Sequence, residues 1–88
     1  MSGASDEDAA RIAAALRAHA AARGPGRTFC PSEVARALAA DWRPWMPAVR
    51  AVAGGLVDTG RLRATQKGRP VDPRTARGPI RLGLPPTG

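Results

Sequence analysis

Apolar residues return at helical spacing near the start of the chain, with Ala9, Ile12, Leu16 and His19 on one face and Arg23 closing it. This pattern predicts a first helix from about Asp6 to Arg23. Ser5 is placed to cap it, Asp8 closes a capping box, and the acids of the first turn suit the helix dipole. Gly24-Pro25-Gly26 ends the run, and Thr28-Phe29-Cys30 reads as a stub of strand. A second helix follows to about Ala40, with Pro31 at its first position, Glu33 at its third, and Val34, Ala35 and Leu38 inward. After a tight turn at Asp41-Trp42-Arg43, Pro44 and Pro47 are tolerated only in an opening turn, so a third helix starts close to Pro44. Its expected buried face is Met46, Val49, Ala53, Leu56 and Val57, and Gly60 ends it.

The period then changes. Residues 61–66 alternate as a half-buried strand does, with Leu62 and Ala64 inward and Arg61 and Arg63 outward. Lys67-Gly68-Arg69-Pro70 reads as a turn, the stretch to Gly78 as a polar loop, and Pro79-Ile80-Arg81-Leu82 as the returning strand. The expected fold is one α+β, winged-helix-like domain: three helices plus a small antiparallel β-hairpin, the wing. It spans residues 1–83, with a loose tail over 84–88.

Particular stretches sharpen this expectation. Thr28-Phe29-Cys30-Pro31-Ser32-Glu33-Val34-Ala35, Trp42-Arg43 with Met46 and Val49-Arg50, Gly60-Arg61-Leu62, Gln66-Lys67-Gly68 and Gly78-Pro79-Ile80-Arg81 together resemble a small bacterial family. That family is known as domain of unknown function 3253, and the likeness runs from about Asp8 to Leu82. The resemblance implies a winged-helix-like fold. It implies no activity, and it carries over no catalytic or binding residues.

Composition narrows the function classes. Hydrophobic residues are 43% of the 88, enough for a folded core, but much of that is alanine, and the aromatics are only Phe29, Trp42 and Trp45. The lone Cys30 excludes an internal disulfide and a Cys-based zinc site, so no metal and no cofactor are expected. The acidic start (Asp6, Glu7, Asp8) is unlike a signal peptide, and no run approaches the roughly 20 apolar residues of a membrane span. The expectation is a cytoplasmic protein of a bacterium-like cell that makes no membrane contact.

Charge placement is more informative than its total of +7. Residues 1–41 carry five bases and five acids; residues 42–88 carry nine bases against Asp58 and Asp72. Thirteen arginines beside one lysine, with abundant alanine and glycine, resemble high-GC coding bias, so the arginine count carries little by itself. In a winged helix the third helix enters the major groove and the wing reaches the neighbouring backbone. Arg43 and Arg50 share a flank of the third helix, and Arg61, Arg63 and Arg81 share the outer face of the hairpin. Lys67, Arg69, Arg74 and Arg77 populate the wing and its loop. Guanidinium groups suit bidentate phosphate contact, which makes these nine the candidate nucleic-acid-binding residues. The plainer reading is a solvated arginine surface.

Base reading is not expected. The outward face of the third helix (Pro44, Pro47, Ala48, Ala51, Gly55 and Asp58, with Gly54 towards the arginine flank) holds almost no donors for base edges. Binding to phosphates alone is weak, with Kd about 10⁻⁴–10⁻⁶ M near physiological salt, and steeply salt-dependent. The same bare surface offers an alternative: Ala48, Ala51 and Gly55 as an interaction face for a protein partner or a second copy.

Catalysis is not expected. His19 and Cys30 lie on different elements with no third partner, and no phosphate loop, dinucleotide fingerprint or metal-ligand spacing occurs. Cys30 suits a small buried or capping role better than a thiol or haem sensor. His19 is expected to be a half-buried packing residue. Trp42 and Trp45 are expected to anchor the third helix on the first.

Overall fold

The computed structural model describes residues 6–85, so the expected Ser5 cap and the end of the tail lie outside the described residues. The elements in order are α1 (Asp6–Arg23), β1 (Thr28–Phe29), α2 (Pro31–Leu38), a 3₁₀ turn (Arg43–Trp45), α3 (Met46–Asp58), β2 (Arg63–Gln66), β3 (Arg69–Pro70) and β4 (Arg81–Gly83). Local chemistry explains most boundaries. Cys30 is the N-cap of α2 and not a strand residue, because the Glu33 carboxylate accepts its N–H at 2.8 Å while Pro31 fills the first helical position. Helix α2 stops at Leu38, two residues short of expectation. At the end of α3, Gly60 (φ 75°) lets its own N–H reach Val57 O and that of Arg61 reach Leu56 O. These are the paired bonds of a Schellman ending.

The sheet is larger than a single hairpin. Its order is β1-β4-β2-β3, antiparallel throughout. Lys67-Gly68 form the whole turn, both at positive φ, and Arg69-Pro70, expected within the turn, form an edge strand instead. Pro70 is tolerated because it sits opposite Thr65, one step beyond the pair that closes the turn, where a hairpin needs no N–H; Val71 N–H then resumes the ladder to Ala64 O. Gly83, at the expected end of the domain, is buried in β4 between Thr28 and Arg63, and Leu84, expected in the loose tail, packs against the core.

Register sorts the sheet into two faces. Phe29, Leu82 and Ala64 form one cross-strand row and point inward, joining Ile12, Leu16 and Ala20 of α1, Val34 and Ala35 of α2, Val49 and Ala53 of α3, and Leu62 and Ile80. Thr28, Arg63, Thr65 and Arg81 occupy the opposite face. Arg23, expected to close the inner face of α1, is exposed and pairs with Glu33, while Ala20 takes the buried place. His19 is half-buried as expected, 5.6 Å from the Phe29 ring.

Two neighbouring glycines in α3 make a direct comparison. A methyl group at Gly55 would meet nothing within 4 Å, so Gly55→Ala is expected to raise stability in urea by about 0.8–1 kcal/mol, the helix-propensity difference. At Gly54 a Cβ would lie 2.5 Å from Arg74 Nε and 2.8 Å from its Cδ and Cγ. Gly54→Ala is therefore expected to return less, since it displaces that side chain. Equal gains at the two sites would contradict this packing.

The bond from Cys30 N–H, and then the nearby Arg23 and Arg81 guanidiniums, hold the Glu33 carboxyl below the ordinary glutamate range. A depressed carboxylate stabilises the fold above its unfolded pKa, near 4.5, and that contribution is lost as pH falls through the folded value. Glu33→Gln is thus expected to flatten the fall in stability below about pH 4.5 and to lower stability at neutral pH. Parallel acid-induced unfolding curves for the two proteins would contradict it.

Candidate nucleic-acid interface

The nine basic residues expected to act together divide into three groups. Arg50 and Arg74 are internal fasteners. Arg50 donates from Nη1 to Ala76 O and from Nη2 to Gly78 O, both at 2.7 Å, so it faces the loop after β3 and not solvent. Arg74 folds over Gly54 and forms a fork on Asp58 at 2.9 and 3.0 Å, while its Nε meets Asp72 at 2.9 Å. The two carboxylates push the Arg74 pKa up, and hydrogen bonds from Arg74 hold that of Asp72 down. Both arginines were expected to contact phosphate, and each spends part of its guanidinium on the protein itself.

The loop between β3 and β4 consequently does not project as a free wing. Segment 72–79 lies along α3, and the groove between them, about 430 Å³, is lined by Met46, Pro47, Arg50, Ala51, Arg74 and Ala76. Of the small residues expected to face outward, Ala51 and Gly55 are exposed, whereas Ala48 is half-buried against the core.

A second group is anchored without an ion pair among the described residues, although Arg81 lies near enough to Glu33 to lower its pKa. The Arg43 guanidinium lies over the Trp42 ring, 4.7 Å from its centroid, and Arg36 of α2 stacks on the same ring at the same distance. Trp42 therefore joins the 3₁₀ turn to α2 through Arg36. It had been expected to anchor α3 on α1. Arg81 fastens β4 to β1 through Thr28 Oγ1 (2.9 Å) and Thr28 O (3.1 Å), and reaches Cys30 Sγ at 2.8 Å. Arg63, on the same outer face, has its Nε buried without a partner beside Gly83.

Arg61, Lys67, Arg69 and Arg77 make up the third group, all exposed. Arg61 stands before β2, beside Arg17 and Leu84. It lies six positions before Lys67, which at about 3.3 Å per strand residue puts it near the opposite end of the strand. The other three come together. Lys67 is in the turn, Arg69 faces Gln66 across the hairpin, and Gln66 Nε2 donates to Arg77 O at 2.6 Å and to Pro79 O at 3.0 Å. The wing tip thus carries three cations without a carboxylate partner among the described residues. The role of Gln66 in assembling them had no signal in the sequence, since its partners lie 11 and 13 residues away.

Among the described residues, no three His, Cys, Asp or Glu side chains gather as metal ligands, and no helix is long and apolar enough to cross a membrane. Three helices, a four-stranded antiparallel sheet and a tight basic hairpin define a small α+β protein of winged-helix-like order. The chain belongs to the family described as protein of unknown function (DUF3253), whose model matches residues 9–85. No curated protein matches it.

Proposed function

We propose that this chain binds nucleic acid through phosphate contacts made by its wing tip and the outer face of its sheet, without catalysis. The observation that carries the reading is the convergence of Lys67, Arg69 and Arg77 at one end of the hairpin, none with a carboxylate partner. Arg63 and Arg81 add positive charge on the outer face of the sheet, opposite the face that Gln66 and Arg69 share, and Arg43 adds a further charge beside α2. Helix α3 has a lesser part than the sequence led us to expect, because Arg50 and Arg74 turn inward and the remaining surface is apolar or small. Contacts of this kind position a protein on a backbone and carry no sequence information.

Titration of a labelled duplex of mixed sequence, followed by fluorescence anisotropy, tests the reading. With three phosphate contacts the log–log salt slope is about −2.7, so affinity falls about 40-fold between roughly 50 and 200 mM salt. An absence of binding at the lower salt, or an affinity indifferent to salt, would overturn it. So would a strong preference for one duplex sequence.

A further inference from the structure

Four consecutive carbonyls of the loop before β4 are taken by just two side chains, from opposite sides. Arg50 of α3 holds Ala76 O and Gly78 O; Gln66 of β2 holds Arg77 O and Pro79 O. Helix and hairpin thus hold alternate carbonyls, and residues 76–79 form a strap between them that bends at Gly78, whose φ is 83°. Upstream the strap is tied by the fork of Arg74 on Asp58 and by Asp72, and downstream it runs into buried Ile80. Arg77 sits in the middle, its backbone fixed and its side chain exposed.

We propose that Arg50 and Gln66 are positioning residues for a phosphate site: they fix segment 76–79 from both sides and thereby preset Arg77 beside Lys67 and Arg69. The proposal rests on the phosphate-binding reading above and deepens it. An arginine on a slack loop must be ordered at the moment of binding, whereas one on a strap has already been ordered by folding. Neither Arg50 nor Gln66 touches the ligand. Arg50 spends a donor of each terminal nitrogen on the strap, and Gln66 is uncharged.

Two substitutions separate positioning from direct contact. Arg50→Lys keeps the charge, but a single ammonium cannot reproduce a planar fork across two carbonyls. Gln66→Ala removes two hydrogen bonds and no charge. Each is expected to weaken binding to a mixed-sequence duplex about as much as Arg77→Ala, and to lower the salt slope by about 0.9. Combined with Arg77→Ala, neither adds a further loss, because all three remove one contact. Trypsin cleavage after Arg77 is expected to quicken in both variants. Additive losses, an unchanged slope, or an Arg50→Lys protein that binds like the parent would overturn the positioning role while leaving phosphate binding in place. If the parent itself does not bind the duplex, the functional reading fails first. Should Arg50→Lys fail to fold by circular dichroism, Gln66→Ala decides the matter alone.

Discussion

Phe29→Ala is expected to lower the unfolding free energy by about 3–5 kcal/mol, the range for truncating a buried phenylalanine. Phe29 is the only phenylalanine and has 0% exposure. It stands in β1, only two residues long, and shares its inward row with Leu82 and Ala64. The other buried side chains are aliphatic, and many are alanines, so nothing large is at hand to fill the cavity. At about 0.05–0.15 kcal/mol per residue, a chain of this length holds about 4–13 kcal/mol in all. The substitution should therefore move the urea midpoint far down or leave the protein unfolded at room temperature. Leu38→Ala, at a half-buried position, is the comparison and should cost less. A loss under about 1 kcal/mol at Phe29 would mean that β1 is not an integral part of the sheet.

The largest effect on binding is expected when Lys67, Arg69 and Arg77 are replaced together by alanine. Each phosphate contact contributes about 0.9 to the log–log salt slope, so the triple variant should lose about 2.7 of it. The affinity ratio between parent and variant should then be about 40 times larger near 50 mM salt than near 200 mM. Replacing Arg74 instead makes a useful contrast. Its guanidinium is shared by two carboxylates, so Arg74→Ala frees two negative charges at the base of the strap without removing an available cation. That change should alter the slope by less than one contact's worth. If Arg74→Ala matched the triple variant, the division into free and committed arginines would be wrong.

Much of the architecture was legible along the chain because its signals are local. Helix periodicity in α1, the Pro31–Glu33 opening of α2, the two prolines before α3 and the alternation through Leu62 and Ala64 each depend on residues within a turn or two. The inward residues of the sheet followed from the same alternation. The errors share a cause as well. Lys67-Gly68 lacks the usual Asn-Gly signature and Pro70 looks like a strand breaker, so β3 was read as part of a turn; it is permitted only by its position opposite Thr65 at an edge. The place of Gly83 within a strand had no signal either, because a glycine adds nothing to a periodic pattern, although a Cβ there would lie 2.8 Å from Arg27 O.

The segregation of positive charge into residues 42–88 can be read from the sequence alone, and so can most of the order of elements and most of the core. No reading of neighbours along the chain could say which of those charges remain available. Arg50 meets its acceptors 26 and 28 residues downstream, and Arg74 meets Asp58 16 residues back, contacts that exist only once the sheet has closed and laid the loop on α3. Secondary structure obeys short-range periodicity, whereas the partner of a long flexible guanidinium is set by where distant backbone happens to pass. Folding therefore engaged two of the candidate arginines with the protein itself, and through Gln66 brought the backbone of Arg77 to the hairpin that carries Lys67 and Arg69.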